Sequence, residues 1–549
     1  MKMKHSAKFS QYGQFLTRHL SWLSLIIIIF WAGFWRYRLL DVPLERDEGE
    51  YAYAGQLLLQ GLPPYQYLYN MKLPGIYAAY ALILALFGQT LRGIHWGLLF
   101  LNAGTIVLVF GLTKRLVDAA SGVVAAACFA LLSLGQPVQG LQAHAEHFVI
   151  FPALAGLIVL LWALDEHRQK PLFFSGLLLG IGFMMKQHGA AFIGLAGFYI
   201  VVHSIKIRPF DWQRRCGSCL LFLGGAILPY VVTCLLFLLA GLFDEFWRWT
   251  VEYAVTYSAQ VPVEYAWPKF KEKAYQIGSA APLIWGLAGL GLLAPIWDQT
   301  LRARFRFGML FTLFSFLAIC PGFYFRQHYF ILILPVAALL AGTAIRAAAN
   351  LMTRLSVRAR NNNALKYSVP IFLFVLCLTV SVWQQRAYLF TMSPRQLSRA
   401  TYGRNPFPES IKIASFIRNR TTAGERIAII GSEPQIYFYA RRQAATGYIY
   451  MYPLMESHDL ALKMQRELIS EVEAISPEYL LFINVYSSWL SRPDSPRDIF
   501  HWFEEYSKDY IPVGLVEIDH DKTLYFWAPN VKWPPQASFW VAVLQRKNN

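Results

Sequence analysis

The run Arg46-Asp47-Glu48-Gly49-Glu50-Tyr51-Ala52-Tyr53 puts three carboxylates and two tyrosines into eight residues. A carboxylate within hydrogen-bond reach of an attacking hydroxyl can act as a general base, worth ~10²–10⁴-fold in rate. A helix N-cap needs one acid, so Asp47, Glu48 and Glu50 together exceed a cap's need. Lys72 offers a point charge for a phosphate, although a lysine stem lying along an apolar surface needs no such partner. Gln142-Ala-His144-Ala-Glu146-His147 lacks the HExxH spacing of a helical metalloprotease. His144 and His147, with Glu146, could still contribute to one divalent-metal site. A polar helix start at the outer interface is the slightly better account of the two histidines, whereas Glu146 heads a long apolar run and is the stronger functional candidate. Lys186-Gln187-His188 and Arg326-Gln327-His328-Tyr329 each interrupt apolar sequence with a cation.

The elements that must position these groups are membrane helices. Apolar residues make up 56% of the 549 and charged residues 15%. Twelve apolar runs lie near 20–40, 74–90, 94–113, 119–135, 147–164, 172–186, 189–204, 217–241, 278–297, 307–321, 329–347 and 367–384, several of them matching the ~20 residues that span a bilayer. The net charge of +17 does not indicate nucleic acid, because the basic residues are scattered through short loops. Membrane topology explains them. If 74–90 does not cross, the loops 114–118, 165–171, 205–216, 298–306 and 346–366 fall on the N-terminal side and carry 2, 2, 4, 3 and 5 Lys or Arg. The opposite loops 136–146, 187–188 and 322–328 hold only Arg326, and the longer loop 242–277 holds four basic residues. The positive-inside rule therefore predicts about eleven spans, N-terminus in and C-terminus out, with 74–90 in the outer interface. This topology puts the acidic loop 41–93 and the segments around Glu146, Lys186 and Arg326 on one outer face. No cleavable signal peptide is expected in the polar, basic start.

Within the loop, Asp47 is the expected N-cap of a helix ending near Gly61-Leu62-Pro63-Pro64. Leu57–Leu59 give that helix an apolar side for the membrane, and Tyr65-Gln-Tyr67-Leu-Tyr69 is an aromatic interface stretch. The six cysteines all lie in or beside apolar runs, and Cys216-Gly-Ser-Cys219 has no second pair to complete a metal site. Beyond Trp383 the pattern alternates. Helices are expected at 410–418, 435–441, 459–475 and 498–507, and strands at 426–431, 447–452, 479–484, 511–518 and 523–527, a small α/β domain. It has no GxGxxG or Walker sequence.

On these residues the chain resembles the GT-C superfamily of polyprenyl-phosphate-sugar transferases, particularly the protein mannosyltransferase-like family that includes lipid A aminoarabinose transferases. The matching features are Asp47-Glu48 after the first span, Tyr51 in the next helix, Lys72-Leu73-Pro74, Glu146 in the second outer loop, His328-Tyr329 before a late span with Pro335, and Gly431-Ser-Glu-Pro-Gln-Ile-Tyr437. Met71 stands before Lys72 where aminoarabinose enzymes have an acid, which argues against that substrate. The resemblance implies a polytopic α-helical membrane protein, with a catalytic domain over 1–384 and an extracytoplasmic α/β domain over 385–549. It implies an inverting glycosyltransferase, hexosyl- or pentosyl-, that moves a sugar from a polyprenyl-phosphate donor to a hydroxyl of a glycan, lipid or protein. The setting would be the outer side of a bacterial inner membrane. Asp47 would be the base, and Lys72, Lys186 and Arg326 would neutralise the departing phosphate. Glu146 would position Lys72 or a metal, Glu48 would be a further catalytic carboxylate beside Asp47, and Tyr51, His144, His147, His188, His328 and Tyr329 would line the site. A divalent metal is an open expectation. The rival is a transporter or flippase of lipid-linked sugars, which would want ionisable residues in mid-span. Here they cluster at span ends.

Overall fold

The computed structural model describes residues 2–205, 212–355, 363–519 and 522–547. Much of the basic loops at 205–216 and 346–366 lies outside these residues, as does the side-chain detail of the first eighteen. All twelve apolar runs form helices. Among the described residues five helices are long and apolar enough to cross a membrane, His19–Arg38, Leu91–Leu116, Ala145–Asp165, Trp212–Leu239 and Gln327–Leu355. A sixth arises if the pair Val263–Ser279 and Pro282–Ile296, bent by 110°, counts as one span. Pro74–Phe87, Ala119–Leu132, Lys170–Met185, Phe305–Ile319 and Ser368–Gln384 are shorter apolar helices.

The chain forms two compact units. The first comprises 1–39, 97–234 and 261–391. Its interior helix is Gln327–Leu355, whose most apolar stretch is 89% buried, against 22% for Trp212–Leu239. Small residues let its helices approach backbone to backbone, as the absence of a hydrophobic drive between helices in lipid requires. A Cβ on Gly291 would meet the carbonyl oxygen of Leu340, and one on Gly176 that of Phe222. Ser175 Oγ donates to the Gly156 carbonyl at 2.9 Å, fastening Lys170–Met185 to Ala145–Asp165.

The second unit joins 40–96 and 235–260 to 392–549. Its core is a six-stranded sheet, β1 (Arg426–Ile430), β2 (Gln443–Ala444), β3 (Tyr479–Asn484), β4 (Tyr510–Ile518), β5 (Thr523–Trp527) and β6 (Trp540–Arg546), in the order β2-β1-β3-β6-β4-β5. β2 and β3 run parallel to β1; the remaining pairs are antiparallel. The helices Phe407–Arg418, Pro434–Ala440, Ala461–Ile475 and Asp498–Tyr506 match expectation within a few residues, and β3 and β5 match it residue for residue.

Two expectations fail here. No strand forms at 447–452, where the chain is irregular and turns into a short helix at Tyr452–Met455. β6 was not foreseen, although it sits in mid-sheet with Leu481 opposite Val543. The aromatic stretch is packed within the unit: Tyr65 is fully buried against Phe237 and Phe246, and Tyr69 stacks on Trp249.

Candidate active site

In the second unit the acidic run opens the helix Arg46–Leu59, but its cap is Glu45, not Asp47. The Glu45 carboxylate accepts from the Glu48 amide at 2.8 Å, and Glu48 Oε2 accepts from the Glu45 amide at 3.3 Å, a reciprocal capping box. Glu48 is fully buried, and its other oxygen lies 3.1 Å from His95 Nε2. His95 Nδ1 lies 2.8 Å from the Leu40 carbonyl. A carbonyl only accepts, so Nδ1 carries a proton. The Glu48 contact then needs a second proton, on Nε2 or on the carboxyl. Glu45 and Glu48 are thus committed to the helix start.

Asp47 is released from capping and faces a different set of groups. Its Oδ1 lies 3.3 Å from Lys72 Nζ, with side chains 21% and 13% exposed. Tyr450 donates its hydroxyl proton to the same oxygen at 3.3 Å. Lys72 also donates to Tyr51 OH at 3.1 Å, with its ammonium 5.3 Å from the Tyr51 ring centre. Tyr65 holds the Lys72 carbonyl at 2.6 Å. Glu50 is buried and accepts from Tyr77 OH at 2.5 Å. Burial pushes Glu50 up to about 7, against the lowering effect of the Lys72 charge. Tyr450 is also pushed up, first by burial and then by the negative charges of Asp47 and Glu50, so it stays a proton donor.

The helix start is pinned from one side by Arg46. Its guanidinium donates to the Ser432 carbonyl at 2.5 Å, to Glu433 at 2.5 Å, to Asn405 at 2.9 Å and to Tyr452 OH at 2.8 Å. Gly49 has a steric reason: a Cβ there would lie 2.6 Å from the Gln435 amide nitrogen. The family-like segment Gly431–Tyr437 therefore serves as the seat of the acidic helix.

In the first unit, Glu146 lies in the first turn of Ala145–Asp165, fully buried, with Oε1 2.5 Å from Lys186 Nζ. Lys186 caps Lys170–Met185 in extended conformation and lies 4.3 Å from the Tyr329 ring centre. Within the units Glu146 is thus paired with Lys186, and Asp47 with Lys72. His144 Nδ1 and His328 Nδ1 face each other at 2.9 Å, an arrangement in which one nitrogen donates and the other accepts. His328 Nδ1 is also 3.9 Å from Glu146 Oε2, an oxygen buried without a hydrogen bond among the described residues. The histidine companion of His144 is thus His328 across the unit, where the sequence suggested His147 three residues on. His147 Nε2 is buried and makes no hydrogen bond among the described residues. His188 Nδ1 donates to the Ala318 carbonyl at 2.6 Å, and its ring edges Tyr329. Arg326 is exposed, 5.4 Å from the Tyr324 ring centre.

The sequence reading missed Tyr450, Tyr452 and His95, and had Glu433 only as part of the family-like segment 431–437. Tyr448, Tyr450 and Tyr452 alternate, which imitates a strand. Their hydroxyls instead bond Glu467, Asp47 and Arg46 in turn.

Residues 72–232 match the family model of dolichyl-phosphate-mannose-protein mannosyltransferases. No curated protein matches the chain in sequence. Among solved structures it is similar to the archaeal oligosaccharyltransferase AglB from Archaeoglobus fulgidus, in complex with an inhibitory peptide and a dolichol-phosphate (TM-score 0.54, 11% identity, 94% of this chain and 75% of that one). It is similar to ArnT from Cupriavidus metallidurans bound to undecaprenyl phosphate (0.55, 14%, 96% and 97%). It also resembles the arabinofuranosyltransferase AftD from Mycobacteria (0.52, 14%, 96% and 40%). Identities this low show a shared fold.

Proposed function

We propose that the chain is a membrane glycosyltransferase of the GT-C type, a reading supported by the family-model match over 72–232 and the shared fold, and that it moves a sugar from a polyprenyl-phosphate donor to an acceptor hydroxyl by a single inverting displacement. The observation that carries this is the Asp47–Lys72 pair. Its partners stand at 3.3 Å, with Tyr450 on the same oxygen, and neither side chain is sealed from solvent. Asp47 takes the proton of the attacking hydroxyl. Lys72 moves from Asp47 toward the phosphate as negative charge leaves with the lipid, where a preorganised cation in a dry site lowers the barrier most. Glu45, Glu48 and Arg46 hold the helix start in place, and Tyr51 and Tyr450 orient the pair. Lys186, while it stays bonded to Glu146, and Arg326 are assigned to the donor phosphate as secondary cations.

The proposal keeps the topology of about eleven spans, N-terminus in and C-terminus out, in a bacterial inner membrane. It keeps a membrane catalytic domain over 1–384 and an extracytoplasmic domain over 385–549, with the chemistry on the outer side. A divalent cation, where one is used, would be held by His144, His328 and Glu146, and the buried oxygen Glu146 Oε2, without a hydrogen bond among the described residues, fits such a ligand. It would add positive charge for an anionic substrate group. AglB has also been solved in complex with Zn and sulfate.

The test uses the purified protein in nanodiscs with synthetic polyprenyl-phosphate sugars. Cleavage of the donor, with the sugar's anomeric configuration inverted in the product, is expected. Passage of intact donor across a proteoliposome bilayer without cleavage would support the transporter reading instead.

A further inference from the structure

In the second unit, the C-terminal half of the acidic helix and the segments around β2 enclose a cavity of about 400 Å³, separate from the Asp47–Lys72 pair. Its polar lining is Gln56, Gln60 and Gln443 with Arg418, Arg441 and Arg442. That volume suits a mono- or disaccharide-sized ligand.

The three arginines are not explained equally by folding. Arg442 is buried and its donors are used. They reach Thr421 Oγ1 at 2.7 Å, the Thr421 carbonyl at 2.5 Å, the Arg418 carbonyl at 3.2 Å and the Ala440 and Arg441 carbonyls at 3.3 and 2.9 Å. It ties the end of the helix Phe407–Arg418 to β2 and brings a full positive charge to the wall. Arg418 and Arg441 are exposed. Arg441 makes one long bond, 3.4 Å to the Gln89 carbonyl, and the Arg418 side chain donates to no group among the described residues. None of the three forms an ion pair among the described residues, in a protein that pairs Arg46, Arg92, Arg115 and Arg399 with carboxylates. Burial and then the charge of Arg418 push Arg442 down, with Glu425 opposing, as expected of cations gathered without a matched anion.

Three guanidiniums around one cavity repel each other unless an anion joins them, and the planar fork of each matches a phosphate or carboxylate. The glutamine amides both donate and accept, which suits sugar hydroxyls. We propose that this cavity binds a saccharide bearing an oxyanion, a phosphate or a carboxylate, and so is a second ligand site of the protein. Arg418 and Arg441 grip the oxyanion, and Gln56, Gln60 and Gln443 face the hydroxyls.

The test is titration calorimetry of the full chain in phosphatidylcholine nanodiscs with glucose 6-phosphate, glucuronate and glucose. The two anionic probes should bind and glucose should not. Arg418→Gln and Arg441→Gln should each weaken binding about tenfold, as loss of one charge-assisted contact does, with unchanged thermal midpoint since both side chains are exposed. A lipid-borne source of the same oxyanion is distinguished by repeating the titration in nanodiscs containing phosphatidic acid. There, competition against glucose 6-phosphate that vanishes in Arg418→Gln still supports the site and names the headgroup as a ligand. Anionic probes that bind no better than glucose, or bind both variants as well as the parent protein, would overturn it.

Discussion

Each unit of the molecule contains a carboxylate, a lysine and a tyrosine in contact, and the two sets differ in closure. In the first unit Glu146 and Lys186 meet at 2.5 Å with side chains 0% and 7% exposed, and Lys186 lies against the Tyr329 ring. In the second, Asp47 and Lys72 stand at 3.3 Å with 21% and 13%, and Lys72 lies against Tyr51. A closed, short pair is expensive to separate, because each ion would be left desolvated. An open, long pair can exchange its partners for a substrate. The same three residue types thus yield a closed strut in one place and an open pair, the one proposed to react, in another.

Predictions follow by breaking each pair in turn. The largest effect on stability belongs to the closed one. Glu146→Gln strands the Lys186 ammonium in the interior and should cost ~3–5 kcal/mol, seen as a lower thermal midpoint of the purified protein. The double change Glu146→Gln with Lys186→Met should recover much of that loss; a double variant no more stable than the single would break the strut reading. Next, Lys72→Gln should leave the midpoint nearly unchanged and lower kcat/KM for a lipid-phosphate donor by ~10–100-fold, the value of a charge-assisted contact. An equal fall in stability would make the two pairs alike. Tyr450→Phe removes one neutral donor to Asp47 and should cost about 1 kcal/mol in transition-state stabilisation, near fivefold in kcat.

The smallest effect is a pH dependence. Glu50 is held in its neutral form up to about 7, above its ordinary value of 4.5. Its contribution to stability is therefore fully present below about pH 4.5 and is lost as pH rises through 7. Glu50→Gln should flatten this fall in a plot of thermal midpoint against pH; an unchanged slope would contradict the burial account.

How much of this was legible beforehand depends on the range of the signal. Membrane helices announce themselves by local hydropathy, and every apolar run is helical. The density of acids at 46–50 marked the helix proposed to carry the base, yet the cap reads from sequence as Asp47, aspartate being a common capping residue. Only the fold reveals that Glu45 and Glu48 cap each other and so release Asp47. The partner Tyr450 lies 403 positions from Asp47, and its alternation with Tyr448 and Tyr452 imitates a strand of period two. β6 follows a stretch with Pro529, Pro534 and Pro535, so the sheet seemed to close at Trp527. The pairing of Glu146 with Lys186 could be anticipated only as membership of one membrane face, since no spacing rule links residues 40 positions apart.

The central claim is that Asp47 is the base, and the most direct measurement is single-turnover sugar transfer by Asp47→Asn at saturating donor. The account predicts a rate lower by ~10²–10⁴-fold, with donor-lipid affinity and thermal midpoint close to the parent protein. A variant that transfers sugar at the parental rate would contradict it.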